Sequence, residues 1–129
     1  MKERLQKIFY EQFGRAADLI VRSPGRINII GEHTDYNDGF VLPAAIDKAV
    51  YIAVGKRMDD EIHLHAIDFN ESFQSHLSEV KPVPHHWATY LLGVVHQFQK
   101  KGLKLKGFNA VIASDLPVGA GLSSSAALE

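Results

Sequence analysis

LPVGAGLSSSAALE, residues 116–129, sets two glycines and three consecutive serines between an alternating apolar run and a helix-forming end. Upstream, Phe108, Ala110 and Ile112 recur with period two and predict a strand. Downstream, Ala126 to Glu129 are good helix formers. A strand that passes through Gly119-Ala120-Gly121-Leu122-Ser123-Ser124-Ser125 into a helix start suits an anion. Glycines let backbone N–H groups approach it, serine hydroxyls add donors, and the helix start contributes partial positive charge. No Lys precedes the serines, so this is not a Walker loop. The dinucleotide fingerprint fails as well, because its third Gly falls on Ser124. A serine-rich flexible tail accounts for the same letters.

Working back from that stretch, GRINIIGEHTDYNDGFVLP (25–43) holds a second concentration of chemistry. Leu19 to Arg22 predicts a strand, Pro24-Gly25 a turn and Ile27 to Ile30 another short apolar run, with a polar loop from Gly31 to Gly39 and an apolar restart at Phe40 to Leu42. The loop carries Glu32, His33, Asp35 and Asp38, and Arg26 stands at its approach. Carboxylates grouped on a loop take paired hydrogen bonds from neighbouring sugar hydroxyls, and an Arg steadies negative charge on a transferring phosphoryl group. A solvated turn with one surface ion pair explains the same residues. So does a glycosidase acid pair made by Glu32 and Asp35, which would leave the glycine loop without work.

The remaining chain reads as alternating helices and strands. Leu5, Ile8, Phe9 and Phe13 form one face of a short amphipathic helix that Gly14 ends. Ala49 to Val54 predicts a buried strand, and a turn at Asp59-Asp60 leads to Ile62, Leu64 and Ala66, an expected antiparallel partner. His63 and His65 then share an exposed strand face; His-metal binding there, or at His85-His86, lacks a carboxylate at a partner spacing. Phe73 begins a short strand. Trp87, Tyr90, Leu91, Val94, Val95 and Phe98 place a core-facing stripe on a helix from about Trp87 to Lys101, stopped by Gly102.

Composition excludes several classes. Of 129 residues 46% are hydrophobic and 22% charged, which is globular composition and not that of a disordered or fibrous chain. A formal net charge of -1 argues against coating nucleic acid. Arg4, Lys7 and Glu11 interrupt the N-terminal segment, so it predicts neither a signal peptide nor a membrane span. With 0 Cys, thiolate chemistry and disulfides are absent, which is compatible with a reducing cytoplasm.

Together, residues 25–43 and 116–129 resemble the sugar signature and the phosphate loop of galactokinases, whose superfamily also holds homoserine, mevalonate and phosphomevalonate kinases. The order and separation of the two motifs match as well, so the resemblance spans essentially the whole chain. It implies an α+β fold, a mixed sheet with packed helices forming the N-terminal part of a two-domain small-molecule kinase. Residues 1–129 would be the first part of that N-terminal domain, stopping after the phosphate loop. The implied reaction transfers the γ-phosphoryl group of ATP, with Mg2+, to the anomeric hydroxyl of α-D-galactose, in the cytoplasm and without nucleic acid or membrane as partner. By the same resemblance Arg26 lies at the reacting phosphoryl group, Glu32, His33 and Asp35 hold galactose hydroxyls, and Tyr36 shapes that pocket. Gly119 and Gly121 wrap the ATP phosphates, Ser123, Ser124 and Ser125 supply hydroxyls, and Ser125 is the magnesium ligand.

Galactokinases are expected to carry a catalytic Asp and a magnesium-binding carboxylate downstream of the phosphate loop. The isolated chain is accordingly expected to be inactive and to self-associate through surface that a longer chain would cover. A non-catalytic galactose and ATP sensor of the same fold, and an N-acetylgalactosamine kinase, are the alternatives.

Overall fold

Leu5 and Phe9 stand four residues apart, so one helical face carries both, and both are fully buried. A computed structural model, which describes residues 1–31 and 35–129 with only the backbone of Asp35, forms that helix as α1 (Lys2–Phe13). Gly14 ends it at φ 69°, its N–H bonded to the Tyr10 carbonyl, a left-handed stop that glycine adopts without strain. The chain continues through β1 (Leu19–Ile30), β2 (Leu42–Lys56), β3 (Glu61–Ala66), β4 (Glu71–His76), α2 (Ala88–Lys100), β5 (Phe108–Ser114) and α3 (Ser124–Leu128). This is the expected α+β class: one mixed five-stranded sheet in the order β1-β2-β5-β3-β4. β3 and β5 run parallel, and the other neighbours run antiparallel.

β5 is the centre of the molecule. Val111 and Ala113 face α1 and pack with Leu5, Phe9 and Ala53. Ala110 and Ile112 face the other way and join Val50, Ile62, Leu64, Ala88, Leu92, Val95 and Ala127 beneath α2 and α3. A strand covered on both faces reads as a continuous apolar run, and residues 109–113 are all buried.

That centrality corrects the expected pairing of Ala49–Val54 with Ile62–Ala66. β5 inserts between β2 and β3, because its two apolar faces need cover that an edge position does not provide. The connection from β2 to β3 therefore crosses the start of β5. Arg57 N–H donates to the Gly107 carbonyl and Gly107 N–H to the Asp59 carbonyl, both at 2.9 Å. A Cβ at Gly107 would stand 2.5 Å from the carbonyl oxygens of Asp59 and Glu61, so only glycine fits the crossing. Arg57 clamps it with two hydrogen bonds of 2.7 Å to the Asp59 carboxylate and one of 2.9 Å to Asn109 Oδ1.

Three further expectations change. Pro24-Gly25 is not a turn: β1 runs through it as one strand of 12 residues, with a register shift against β2 between Pro24 and Arg26. β1 is an edge strand, where a residue without an N–H is tolerated. His65 is not on an exposed face; it is buried, and its Nδ1 lies 2.9 Å from Ser72 Oγ. The buried side of α2 centres on Ala88, Leu92 and Val95, whereas Tyr90 and Phe98 are exposed. Gly102, at φ 78°, does stop that helix. No helix among the described residues is long and apolar enough to cross a membrane.

Phe9 fills the gap above Gly55, where an added Cβ would stand 2.6 Å from its ring. Phe9→Ala is expected to lower unfolding free energy by about 3–5 kcal/mol in a urea titration. The hydrogen bonds from Arg57 hold the Asp59 carboxyl down at about 2, below its usual 3.8. A carboxyl depressed in the folded state contributes stability above its unfolded pKa and loses it as pH falls through the folded one. Asp59→Asn is therefore expected to flatten the fall in thermal midpoint between about pH 4 and pH 2, which thermal melts across that range would show.

Candidate functional site

Strand direction decides where the chemistry gathers. β1 and β5 are each antiparallel to β2, and β3 is parallel to β5, so β1, β3 and β5 all end at the same edge of the sheet. The loop after β1 carries the acids, the segment after β3 carries Asp68 and Phe69, and the loop after β5 carries the glycines and serines. Ser23 and Ser114 both lie level with Val50, so β1 runs on for seven residues past the end of β5, roughly 23 Å at strand rise. The glycine loop folds back against this projecting ribbon.

The contact is close because residue 25 has no side chain. A Cβ there would overlap the Leu116 side chain and stand 3.1 Å from the Leu122 carbonyl and 3.2 Å from Ile46. Arg26 N–H donates to the Leu122 carbonyl at 3.1 Å, and its guanidinium Nη2 donates to Ser123 Oγ at 2.9 Å. Arg26 and the serine run are 97 residues apart in sequence, and here they touch. Gly119 and Gly121 take φ values of 75° and 67°, which explains glycine at both. Ser123 is also left-handed, at φ 59°, a conformation costing a non-glycine residue about 1–2 kcal/mol. Its side chain does not cap α3; Arg26 takes it instead.

The base of the loop is held from both sides. Asp68 Oδ2 accepts the Ser114 N–H at 2.7 Å, and Ser114 Oγ accepts the Leu116 N–H at 3.1 Å. Asp115 Oδ1 accepts the Ala49 N–H at 2.5 Å while Asp115 N–H donates to the Ala49 carbonyl at 3.2 Å. Beside it opens a cleft of about 420 Å³. Asp68, Ser114, Ser124 and Ser125 supply its polar lining, and the remainder is apolar, with Phe69, Trp87 and Tyr90 among aliphatic side chains. The three serines thus divide: Ser123 turns to Arg26, and its two neighbours turn to the cleft.

The structure brings Arg26, Gly119, Gly121, Ser123, Ser124 and Ser125 into one region. Glu32 and His33 lie outside the described residues, as does the Asp35 side chain. Tyr36 sits in a short 3-10 turn, Asp35–Asn37, with its side chain largely exposed. Trp87 and Tyr90 are the functional candidates that periodicity assigned to the core of α2. The signal was the excess: five large apolar residues, Trp87, Tyr90, Leu91, Val94 and Phe98, beside the three that are buried leave more apolar surface than one packed seam consumes. Among the described residues no three His, Asp or Glu side chains converge to hold a metal. Ser125 offers one hard oxygen of the type Mg2+ accepts, which fits an ion held chiefly by phosphate oxygens and water.

Gly25→Ala is expected to cost about 1–3 kcal/mol because strand and loop must separate. Gly93→Ala, in α2 with nothing within 4 Å of the added carbon, is expected to stabilise the chain by up to about 1 kcal/mol. Chemical denaturation of the pair measures both, and equal effects would mean that no close approach constrains position 25.

Comparison with known families matches the same two regions. Residues 7–56 match the galactokinase galactose-binding signature, and residues 89–129 match the GHMP kinases N terminal domain. The galactokinase of Lactococcus lactis, solved with galactose, superposes with a TM-score of 0.91 at 36% identity over 99% of this chain and 34% of its own. Mevalonate kinase of Methanococcus jannaschii gives 0.74 at 27% identity, over 88% of this chain and 38% of its own. Phosphomevalonate kinase of Streptococcus pneumoniae, at 18% identity and 0.63 over 85% of this chain and 33% of its own, shares the fold. The chain thus spans about a third of the length of the L. lactis enzyme. Carrying both motifs on one mixed sheet, the chain belongs to the GHMP kinase family and bears the galactose-binding signature of galactokinases.

Proposed function

We propose that this chain forms the sugar-binding and phosphate-binding part of an ATP-dependent galactokinase. The observation that carries the reading is the Arg26–Ser123 hydrogen bond, which joins the strand leading to the acidic loop with the loop built for phosphate. In the reaction, the anomeric oxygen of α-D-galactose bonds to the γ-phosphorus of ATP and the bond to the β-phosphate oxygen breaks, leaving ADP. The hydroxyl proton passes to the Asp that galactokinases are expected to carry downstream of the phosphate loop.

Each part of the chain has a defined task in that scheme. Glu32, His33 and Asp35 hold hydroxyls of the sugar, and Tyr36 shapes the pocket around them. A site that pairs a hydroxyl with buried acceptors rejects an analogue lacking it by about 10⁴-fold, since its partners are left unpaired. Such pairing separates galactose from its 4-epimer. Arg26, fixed by Ser123 and always charged, faces the negative charge that spreads over the phosphoryl oxygens. The N–H groups around Gly119 and Gly121 wrap the phosphates, and the hydroxyls of Ser124 and Ser125 add donors, with Ser125 toward Mg2+. When bound, that ion neutralises phosphate charge. The apolar part of the cleft, which includes Phe69, Trp87 and Tyr90, suits the base of the nucleotide. ATP as co-substrate fits a cytoplasmic setting.

Calorimetric titration of the chain with galactose and, separately, with MgATP tests the reading directly. Both ligands are expected to bind, with glucose and N-acetylgalactosamine weaker than galactose; no affinity for either galactose or MgATP contradicts it. Asp35→Ala is expected to abolish the galactose signal and leave MgATP affinity within about two-fold, whereas equal loss of both would indicate collapse of the fold. In galactose phosphorylation by the longer enzyme, Arg26→Ala is expected to lower turnover by up to about 10³-fold. Unchanged turnover would remove Arg26 from the chemistry.

A further inference from the structure

Trp87 is the single tryptophan of the chain, and it lines the cleft that Ser124 and Ser125 also line. It sits at the N-cap of α2 with no side-chain cap bond to that helix. What fixes its ring comes from a different element. The indole Nε1–H donates to Glu71 Oε2 at 2.9 Å, reaching the first residue of β4. The imidazole of His86 packs beside the indole, with ring centroids 5.2 Å apart and planes inclined at 33°. Phe73, also on β4, stands 5.2 Å from the His86 ring. The same Glu71 oxygen lies 3.9 Å from His86 Nε2, so one carboxylate addresses both rings.

These contacts constrain the indole at its Nε1 edge and by a tilted ring beside it, and two constraints suffice to fix a planar group with two rotatable bonds. Glu71 does not itself line the cleft. We propose that Glu71 is a positioning residue: through its bond to Nε1 it holds Trp87 as a flat wall against which a planar heterocycle stacks. That heterocycle is the base of the nucleotide, and the inference rests on the function proposed above. Stacking on an aromatic ring requires the two planes to stay aligned, so an indole free to rotate loses the contact without any loss of the phosphate loop.

Glu71→Ala and Glu71→Gln, followed by tryptophan fluorescence and by binding, test this, and the single indole makes the emission unambiguous. In Glu71→Ala the emission is expected to shift to the red and acrylamide quenching to rise, with MgATP affinity falling about five-fold, the scale of one hydrogen bond. Inorganic tripolyphosphate, which reaches the phosphate loop alone, is expected to bind as before. Glu71→Gln keeps an acceptor oxygen and is expected to restore emission, quenching and MgATP affinity to within about two-fold. Unchanged emission and affinity in Glu71→Ala would overturn the proposal, as would an equal loss of MgATP and tripolyphosphate or a failure of Glu71→Gln to restore either. If the unaltered chain binds no MgATP, the kinase reading fails on its own, and the base-stacking role of the wall falls with it.

Discussion

A strand bare of side chain at position 25 lies against the carbonyl of Leu122, and the rest of the site depends on that approach. One backbone bond from Arg26 and one guanidinium bond to Ser123 turn the approach into a junction. The left-handed backbone at Ser123 would be costly in isolation; its carbonyl is held by Ala127 N–H and its hydroxyl by Arg26. The Arg26 charge is thereby set beside the serine run, where the proposed reaction would place the phosphoryl group, before any ligand arrives. Such preorganisation lowers the reorganisation that a reaction must otherwise supply.

The sheet order makes the junction possible. Because β5 lies between β2 and β3, strands β1, β3 and β5 run toward the same side of the sheet, and the glycine loop after β5 folds back against β1 where it projects further. The apolar double face of β5 keeps it central, with α1 on one side and α2 and α3 on the other. Gly107 and the Arg57 clamp let the β2-to-β3 connection cross its start. Packing far from the site therefore fixes which loops meet.

Local patterning revealed the elements better than their arrangement. α1, its Gly14 stop, β5 and the Gly102 stop were legible because period and turn chemistry are properties of neighbouring residues. The insertion of β5 between β2 and β3 was not, since pairing between distant segments leaves no local period. Pro24-Gly25 misled for a related reason: the pair usually marks a turn, and only the edge position and the overlying loop explain its place within a strand. In the candidate site, the loop letters singled out Gly119, Gly121 and the serines, but the split of Ser123 from Ser124 and Ser125 depends on Arg26 arriving from another strand. Trp87 and Tyr90 were hidden among core residues, because an aromatic that walls a cleft has the same helical spacing as one that fills a core.

The central claim is that the acidic loop and the glycine loop serve one reaction centre. A crystal structure of the protein with galactose and a non-hydrolysable ATP analogue tests it most directly. The account predicts the anomeric oxygen within about 3.5 Å of the γ-phosphorus, with the Arg26 guanidinium against the same phosphoryl group. Sugar and nucleotide bound on opposite faces of the sheet, with Arg26 contacting neither, would contradict it.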